Sequence, residues 1–245
     1  MAYDFRAQRL FVDFPLDAGA IIEPDRAQAH YLLHVLRLKA GDAILVFNGR
    51  DGEWRAILRD AGRKTCRLAI DERSRAQPDP PDLDFLFAPL KQARLDYMVQ
   101  KAVEMGAGRL VPVKTQFTQI SRVNADRMRA NAIEAAEQCG ILSLPEIAPL
   151  TRLDQALAGR DPARWLIFCD EAAPVADPLA ALRAVPAGPL AVLIGPEGGF
   201  SADERARLMQ LPQVTAISLG PRILRADTAA VAALAIVQAV IGKGR

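Results

Sequence analysis

The sequence predicts an α/β protein with two domains, a small β-barrel followed by a larger α/β domain. Three observations favour this fold class. Short apolar strands separated by turn residues fill the first part of the chain, a proline-rich stretch follows, and strands then alternate with helices. We therefore expect one domain over residues 1–75 and a second over residues 76–245.

The β-rich character of the first domain comes from four short segments with strand-like patterns. They are residues 9–14, 42–47, 53–58 and 65–70. Asn48 and Gly49 favour a hairpin between the second and the third. One helix is predicted over residues 25–38, with Asp25 as its N-cap. Several short strands with tight turns and one helix are typical of a small barrel.

The segment SRAQPDPPD, residues 74–82, contains three prolines and no large apolar side chain, so we expect a stiff linker. Beyond it, strands are predicted over residues 83–88, 109–113, 165–169, 190–194 and 214–219. Helices are predicted over residues 92–105, 125–139, 178–185, 201–211 and 227–241, and Ser201 and Glu204 have capping-box spacing. The strand LAVLI, residues 190–194, has no polar residue, which indicates a parallel sheet covered on both faces.

The composition is that of a globular protein and excludes several function classes. Hydrophobic residues make up 51% of the chain and charged residues 24%. No apolar run is long enough to span a bilayer, and the first nine residues lack a secretory signal layout, so we expect a cytoplasmic protein. The net charge of +2 permits an RNA partner only if the basic groups cluster.

Cysteine and histidine spacing gives no reason to expect a metal. The three cysteines form no CxxC pair, which disfavours a disulfide framework or a structural zinc site. His30 and His34 are four residues apart on a predicted helix, but no glutamate stands between them in an HExxH arrangement. We therefore expect no metal site.

Two glycine-proline loops are the candidate site. IGPEGGFS, residues 194–201, and LGPRILRADT, residues 219–228, each follow an apolar strand and precede a helix. Ligands of parallel sheets bind at such carboxyl-end loops. The glycines permit close backbone approach and the prolines make the loops rigid. Neither loop matches a dinucleotide, P-loop or nucleophile-elbow motif.

A single loop of this kind is more often a packing turn, but two at successive strand ends, with charged residues, indicate a ligand site. The two loops together resemble the paired motifs of the RsmE family of S-adenosylmethionine-dependent RNA methyltransferases. The resemblance continues in DYMVQKAVEMG, residues 96–106, in AIEAAEQCG, residues 132–140, and in VLRLKAGD, residues 35–42, so it covers nearly the whole chain.

This resemblance implies an α/β domain of the SPOUT class with a deep trefoil knot, an N-terminal PUA-like RNA-binding barrel, and a homodimer. It also implies S-adenosylmethionine as cofactor and methylation of uracil N3 in 16S ribosomal RNA of the small subunit. The residues implied to bind the cofactor are Ile194, Gly195, Gly198, Gly199, Leu219, Gly220, Pro221, Leu224 and Thr228.

The sequence departs from the family pattern at two places. Ile141 stands where the family often has Arg, which puts one RNA contact in doubt. Ala226-Asp227-Thr228 stands where Thr-Glu-Thr is common, a change that keeps the negative charge.

The chemistry of uracil N3 suggests roles for three charged residues. Arg225 is our candidate for stabilising the imide anion, because a cation at the uracil oxygens favours loss of the N3 proton. Glu197 and Asp227 are candidates for orienting the base or accepting that proton. The basic residues Arg37, Lys39, Lys91 and Arg94 are candidate RNA contacts.

Two alternatives stay open at this point. A related enzyme of the same class would use the same pocket to methylate a ribose 2′-OH or another base. A non-catalytic RNA-binding or ribosome-assembly protein would also use a PUA-like barrel, although the two glycine loops would then have no purpose.

Overall fold

The computed structural model describes residues 7–62, 64–173 and 177–242. The chain divides into two compact units. The first contains the residues up to Pro80 together with Ile133–Leu144, and the second contains Pro81–Ala132 and the residues from Pro145 onward. Each unit therefore consists of two separate segments of the chain, because Ile133–Leu144 belongs to the first unit.

The first unit is built on a five-stranded sheet with the strand order β1-β3-β4-β5-β2. β1 runs parallel to β3, and the other neighbours are antiparallel. The strands are β1 (Arg9–Phe11), β2 (Ile21–Ile22), β3 (Ala43–Phe47), β4 (Glu53–Ala61) and β5 (Cys66–Arg75). The four predicted strand segments correspond to β1, β3, β4 and β5.

The helix of the first unit begins as predicted and then changes its winding. α1 (Arg26–His30) has a capping box in which Asp25 and Gln28 satisfy each other's backbone N–H groups. The chain continues as a π-helical turn over Tyr31–Val35 and then places Arg37 at a positive φ of 57°. The predicted helix over residues 25–38 is therefore confirmed over residues 26–35, the last five of them as a π-helix, and was wrong over residues 36–38.

Residues of the segment Ile133–Leu144 complete the core of the first unit. Ala136 and Leu142 form a buried cluster with Phe11 and Phe47, whose rings meet edge to face. The backbone N–H of Phe11 also donates to the carboxylate of Glu137 at 2.8 Å. These contacts explain why the segment belongs to the first unit.

A buried ion network stabilises the same unit. Glu53 accepts from Arg9 Nε at 2.8 Å and from Arg75 Nη2 at 2.6 Å, and Arg75 Nη2 also donates to the carbonyl of Gly140. Burial alone would raise the pKa of Glu53, but hydrogen bonds from Arg75, Ser74 and Arg9 lower it overall. The carboxylate is thus held in its charged form inside the unit.

The second unit has a seven-stranded, wholly parallel sheet. Its order is β12-β10-β11-β6-β7-β8, with β9 pairing with β7. The strands are β6 (Leu83–Phe87), β7 (Arg109–Lys114), β8 (Glu146–Ile147), β9 (Thr151–Arg152), β10 (Trp165–Cys169), β11 (Leu190–Ile194) and β12 (Val214–Ile217). Every residue of β11 is buried, as its apolar sequence predicts.

Six helices follow the first strand of this sheet in the described part of the chain, and the second half of one of them, α3, belongs to the first unit. They are α2 (Gln92–Glu104), α3 (Ala125–Cys139), α4 (Leu153–Ala158), α5 (Pro178–Arg183), α6 (Ala202–Gln210) and α7 (Ala226–Val240). α6 begins with the predicted capping box of Ser201 and Glu204, and α3 ends before Gly140, which has a positive φ of 63°. The short elements β8, β9 and α4 were not predicted. Within the described ranges, no helix is long and apolar enough to cross a membrane.

Candidate active site

Three loops meet at one edge of the parallel sheet. β10 lies between β11 and β12 in the sheet, so the segments that follow these three strands leave from neighbouring carboxyl ends. This is the edge at which parallel α/β sheets bind ligands. A cavity lies there, lined by residues of all three loops and by the start of α7.

The loop after β11 is closed by its own contacts. The N–H of Gly199, which has a positive φ of 68°, donates to the carbonyl of Pro196 at 2.9 Å. A Cβ on Gly195 would lie 2.7 Å from the ring of Phe200, and that ring packs edge to face on Phe168. A side chain larger than that of Gly195 would therefore have to displace the Phe200 ring.

The loop after β12 needs glycine for a different reason. Gly220 has a positive φ of 107°, and a Cβ there would meet no atom within 4 Å. The backbone conformation, and not lack of space, selects glycine at this position. The open space beside Gly220 belongs to the cavity.

The loop after β10 contributes residues that we did not predict from the sequence. Asp170 is buried and accepts from Arg205 Nε at 2.6 Å, while Arg205 Nη2 donates to the carbonyl of Ala172. Asp170, Glu171 and Arg205 all line the cavity. The position of Asp170 and Glu171 directly after a predicted strand was the signal that could have identified them.

Cys169, at the end of β10, also lines the cavity. Burial raises the pKa of its thiol to about 12. At neutral pH the sulfur is therefore protonated and unsuited to act as a nucleophile.

The structure brings most of the predicted cofactor-binding residues to this cavity. Those lining it are Ile194, Gly195, Gly199, Leu219, Gly220 and Leu224. The other three lie beside it: Gly198 faces Phe117, Pro221 lines a neighbouring cavity, and Thr228 is exposed in the first turn of α7.

The predicted catalytic residues take different positions around the cavity. Glu197 lines it. Asp227 lies in the first turn of α7 and is half-buried, and Arg225 is the exposed N-cap residue of the same helix. In the described part of the chain, the Arg225 side chain makes no hydrogen bond to cap the helix.

Arg94, predicted as an RNA contact, joins the two predicted catalytic carboxylates. Its guanidinium donates to Glu197 Oε1 at 2.6 Å, to Asp227 Oδ2 at 3.1 Å and to Asp227 Oδ1 at 3.3 Å. Burial acts to raise the pKa of Asp227, but the hydrogen bonds and charge of Arg94 lower it overall. The Asp227 carboxylate is therefore a weak base in this arrangement.

The other predicted RNA contacts are exposed. Lys91 is the N-cap residue of α2. Arg37 and Lys39 lie in the first unit after the π-helical turn, and the backbone N–H of Lys39 donates to Asp42 at 2.7 Å. No group of three or more metal-ligating side chains occurs among the residues that the structure describes.

The unit with the parallel sheet and the loop-lined cavity, and the small sheet unit, each match a family model of RNA methyltransferases. Residues 77–238 match the family model described as an RNA methyltransferase domain, and residues 24–71 match the one described as an RNA methyltransferase PUA domain.

Curated relatives specify the family. The chain is 32% identical to ribosomal RNA small subunit methyltransferase E of Synechocystis, over 96% of this chain and 78% of the relative. It is 29% identical to the protein of the same name from Rickettsia conorii, over 94% of each chain. The chain belongs to the ribosomal RNA small subunit methyltransferase E (RsmE) family.

Solved structures show the same fold. A protein from Legionella pneumophila, solved in complex with the bound cofactor SAM, matches with a TM-score of 0.82 and 28% identity, over 96% of this chain and 98% of that one. The Neisseria gonorrhoeae ribosomal RNA small subunit methyltransferase E has the same fold, with a TM-score of 0.84, 24% identity and coverage of 96% and 98%.

Proposed function

We propose that this protein transfers a methyl group from S-adenosylmethionine to N3 of a uridine in 16S ribosomal RNA of the small subunit. The observation that carries the proposal is the cavity between the three carboxyl-end loops, in a chain of the RsmE family. The relatives' names specify small-subunit ribosomal RNA as their substrate, and the Legionella protein was solved with the bound cofactor.

The residues of the cavity fit S-adenosylmethionine. Ile194, Leu219 and Leu224 supply apolar walls suited to an adenine ring. The backbone at Gly220 faces open space, so a ligand can approach it closely. Glu171 supplies a carboxylate for ribose hydroxyls or for the ammonium group of the amino acid part.

When bound, the cofactor supplies an electrophilic methyl carbon, so the task of the protein is to hold the uracil in line and favour loss of its N3 proton. Arg225 is exposed beside the cavity and stabilises negative charge on the uracil oxygens. Glu197 lines the cavity and accepts the proton or orients the base.

Asp227 acts by holding Arg94. Its carboxylate pairs with the guanidinium, and its lowered pKa makes it a poor proton acceptor. Arg94 in turn holds the loop that contains Glu197. Of the two acidic candidates, Glu197 lines the cavity and Asp227 does not, so Glu197 is the better placed to take the proton.

The substrate must present N3 outside a base pair, because this edge is hydrogen-bonded in duplex RNA. The PUA-like unit docks the RNA, with Arg37 and Lys39 as phosphate contacts, and Lys91 does the same in the second unit.

We place the enzyme in the cytoplasm, where its ribosomal substrate would be encountered. We also propose that the second unit is knotted, since the cofactor loops of RsmE-like SPOUT enzymes belong to a trefoil knot.

The active form is proposed to be a homodimer. α7 buries one face, formed by Ala230, Leu234 and Val237, and a second apolar face with Ile236 remains half-exposed. Ile223 beside it is 89% exposed. A second copy would cover this apolar surface. Light scattering at micromolar concentration tests this: a monomer with full activity would contradict the dimer.

The activity is tested with small ribosomal subunits from a strain that lacks this protein. We expect the purified enzyme and S-adenosylmethionine to add one methyl group, located on the base by mass spectrometry of the nucleosides. A methyl group on the ribose would instead identify a 2′-O-methyltransferase. RNA binding without methyl transfer, at saturating cofactor, would identify a non-catalytic protein.

A further inference from the structure

A second cleft of the methyltransferase unit is rich in basic side chains. It has a volume of about 500 Å³ and lies among the ends of β7 and β9, the start of α4, and α6. Lys114, Arg152 and Arg207 line it, and all three side chains are exposed. Its size lies within the range of about 300–1,000 Å³ that is usual for ligand clefts.

The acidic residues of the cleft are already engaged. Asp154 pairs with Arg152 at 3.1 Å. Both oxygens of Glu204 accept backbone N–H groups, Oε2 from Ser201 at 3.0 Å and Oε1 from Gln116 at 2.8 Å. Among the described residues, neither of the other two cations, Lys114 and Arg207, has an acidic side chain as an ion-pair partner; Arg207 donates only to a backbone carbonyl of its own helix. The cleft therefore has surplus positive charge and attracts anions.

The turn that lines the cleft with Thr115 and Gln116 also carries an aromatic side chain, Phe117. Phe117 is 45% exposed, so part of its ring is open to a partner. The turn is fixed at both ends: Thr115 N–H donates to Thr118 Oγ1 at 2.9 Å, and Thr118 N–H donates to the carbonyl of Thr115 at 3.2 Å. A ring presented in this way loses little entropy when a partner stacks on it.

Phe117 also contacts the glycine loop of the cofactor cavity. A Cβ on Gly198 would lie 3.2 Å from Phe117 Cβ, so the two backbones approach closely only because residue 198 is glycine. Glu197 and Gly199, on either side of Gly198, line the cavity. The turn of Thr115–Thr118, whose Thr115 and Gln116 line the basic cleft, thus lies against the loop that lines the cofactor cavity.

We propose that this cleft binds single-stranded RNA that flanks the target uridine, with the phosphodiester backbone at Lys114 and Arg207 and a base stacked on Phe117. Cationic side chains beside an exposed aromatic ring are the combination by which proteins bind single-stranded nucleic acid. The inference rests on the proposed function for the identity of the RNA, but the cleft can be tested by binding alone.

The binding test uses fluorescence anisotropy with a labelled oligouridine, without cofactor. Replacing Phe117 by Leu removes the aromatic face but keeps an apolar side chain, and we expect the RNA Kd to rise about tenfold. Phe117→Tyr should retain the wild-type Kd. The double variant Lys114→Gln/Arg207→Gln should weaken binding and reduce the slope of log K against log salt by about 0.7 for each lost phosphate contact.

The methylation test uses small ribosomal subunits. In the same variants we expect KM for the subunit to rise, with kcat and the Kd for S-adenosylmethionine unchanged. Met209→Ala on α6 and Arg183→Gln on α5 are matched controls, since both side chains are exposed and neither lines the cleft.

The two proposals fail in different ways. Wild-type values of Kd, KM and salt slope in the cleft variants would overturn the cleft assignment and leave the methyltransferase function intact. Absence of methyl transfer by the wild-type enzyme, with oligouridine binding that depends on Phe117 and the cations, would overturn the function and support the cleft.

Discussion

Arg94 and Asp227 are joined by two hydrogen bonds, from Nε to Oδ2 at 3.1 Å and from Nη2 to Oδ1 at 3.3 Å, across a sequence separation of 133 residues. The remaining nitrogen, Nη1, holds Glu197 of the glycine loop. One guanidinium thus connects α2, α7 and a loop of the cofactor cavity. A residue that the sequence suggested as an RNA contact is, in the folded chain, paired with two carboxylates beside the cavity.

Arg94→Ala should weaken cofactor binding. The variant frees the loop at Glu197 and leaves two carboxylates without their cation. Because the guanidinium is partly exposed, we expect a loss of about 1 kcal/mol, or roughly a fivefold rise in the Kd for S-adenosylmethionine by calorimetry. Lys91→Ala, one turn away and exposed, is the control and should bind the cofactor normally. An unchanged Kd for Arg94→Ala would show that the loop holds its shape without this contact.

Arg225→Ala should impair chemistry and spare cofactor binding. Loss of a preorganised charge donor costs roughly a hundredfold to a thousandfold in rate. Arg225→Lys should recover only part of the rate. Lysine keeps the positive charge, but an ammonium group cannot make the planar two-point contact of a guanidinium. Single-turnover methylation of small subunits at saturating cofactor measures this step. If Arg225→Ala transfers methyl at the wild-type rate, the residue is a surface charge at the start of α7.

The two loop glycines should respond differently to alanine. In Gly195→Ala the new methyl group meets the Phe200 ring, so Phe200→Leu in the same chain should restore part of the cofactor affinity. In Gly220→Ala the cost is backbone strain of about 1–3 kcal/mol, which no neighbouring substitution relieves. Calorimetric titration of the single and double variants distinguishes the two causes. Equal rescue of both by Phe200→Leu would contradict this division.

Glu53→Gln should strongly destabilise the first unit. The change removes the buried negative charge that pairs with Arg9 and Arg75 and should cost about 3–5 kcal/mol of unfolding free energy. The pKa of Glu53 is lowered in the folded state. Its contribution to the unfolding free energy is therefore fully present above the ordinary pKa of 4.5 and is lost as the pH falls through the pKa of the folded state. Denaturant unfolding should show that the difference in unfolding free energy between the wild type and Glu53→Gln becomes smaller as the pH is lowered. Glu23→Gln, in an exposed pair with Arg67, should cost less than about 1 kcal/mol.

Glu137→Gln should have the opposite pH dependence. Burial raises the pKa of Glu137 in the folded state. Between the ordinary pKa of 4.5 and the pKa of the folded state, the folded protein therefore keeps a proton on Glu137 that the unfolded chain has released, and the stability falls as the pH rises through this range. Glutamine resembles the protonated carboxyl and can still accept from Phe11 N–H. The variant should therefore be more stable than the wild type at neutral pH, with the difference disappearing below pH 4.5. A variant that is less stable at neutral pH would show that the charged form is needed.

The sequence was informative where local patterns decide the structure. The uninterrupted apolar run of β11 and the Ser201–Glu204 capping box were confirmed because both depend on neighbours in the chain. The two-residue strands β8 and β9 were missed because they are too short for periodicity to be visible.

Long-range packing accounts for what the sequence did not reveal. The place of Ala136 and Leu142 beside Phe11 and Phe47, and the pairing of Asp170 with Arg205, depend on tertiary contacts. The roles of Arg225, Glu197 and Asp227 remain predictions.

The order of strands in the parallel sheet has a consequence for biosynthesis. β6 is synthesised before β11, its neighbour in the sheet. Leu83 of β6 pairs with Leu190 of β11, which follows it in the chain by more than a hundred residues. Until β11 has been synthesised, one edge of β6 lacks the strand that pairs with it in the folded protein. Pairing between strands so far apart in the sequence forms slowly. The loops after β11 and β12 are synthesised later still. A chain truncated before β12 would lack one wall of the cavity, so the methyl donor can bind as proposed only after β12 and the loop that follows it have been synthesised.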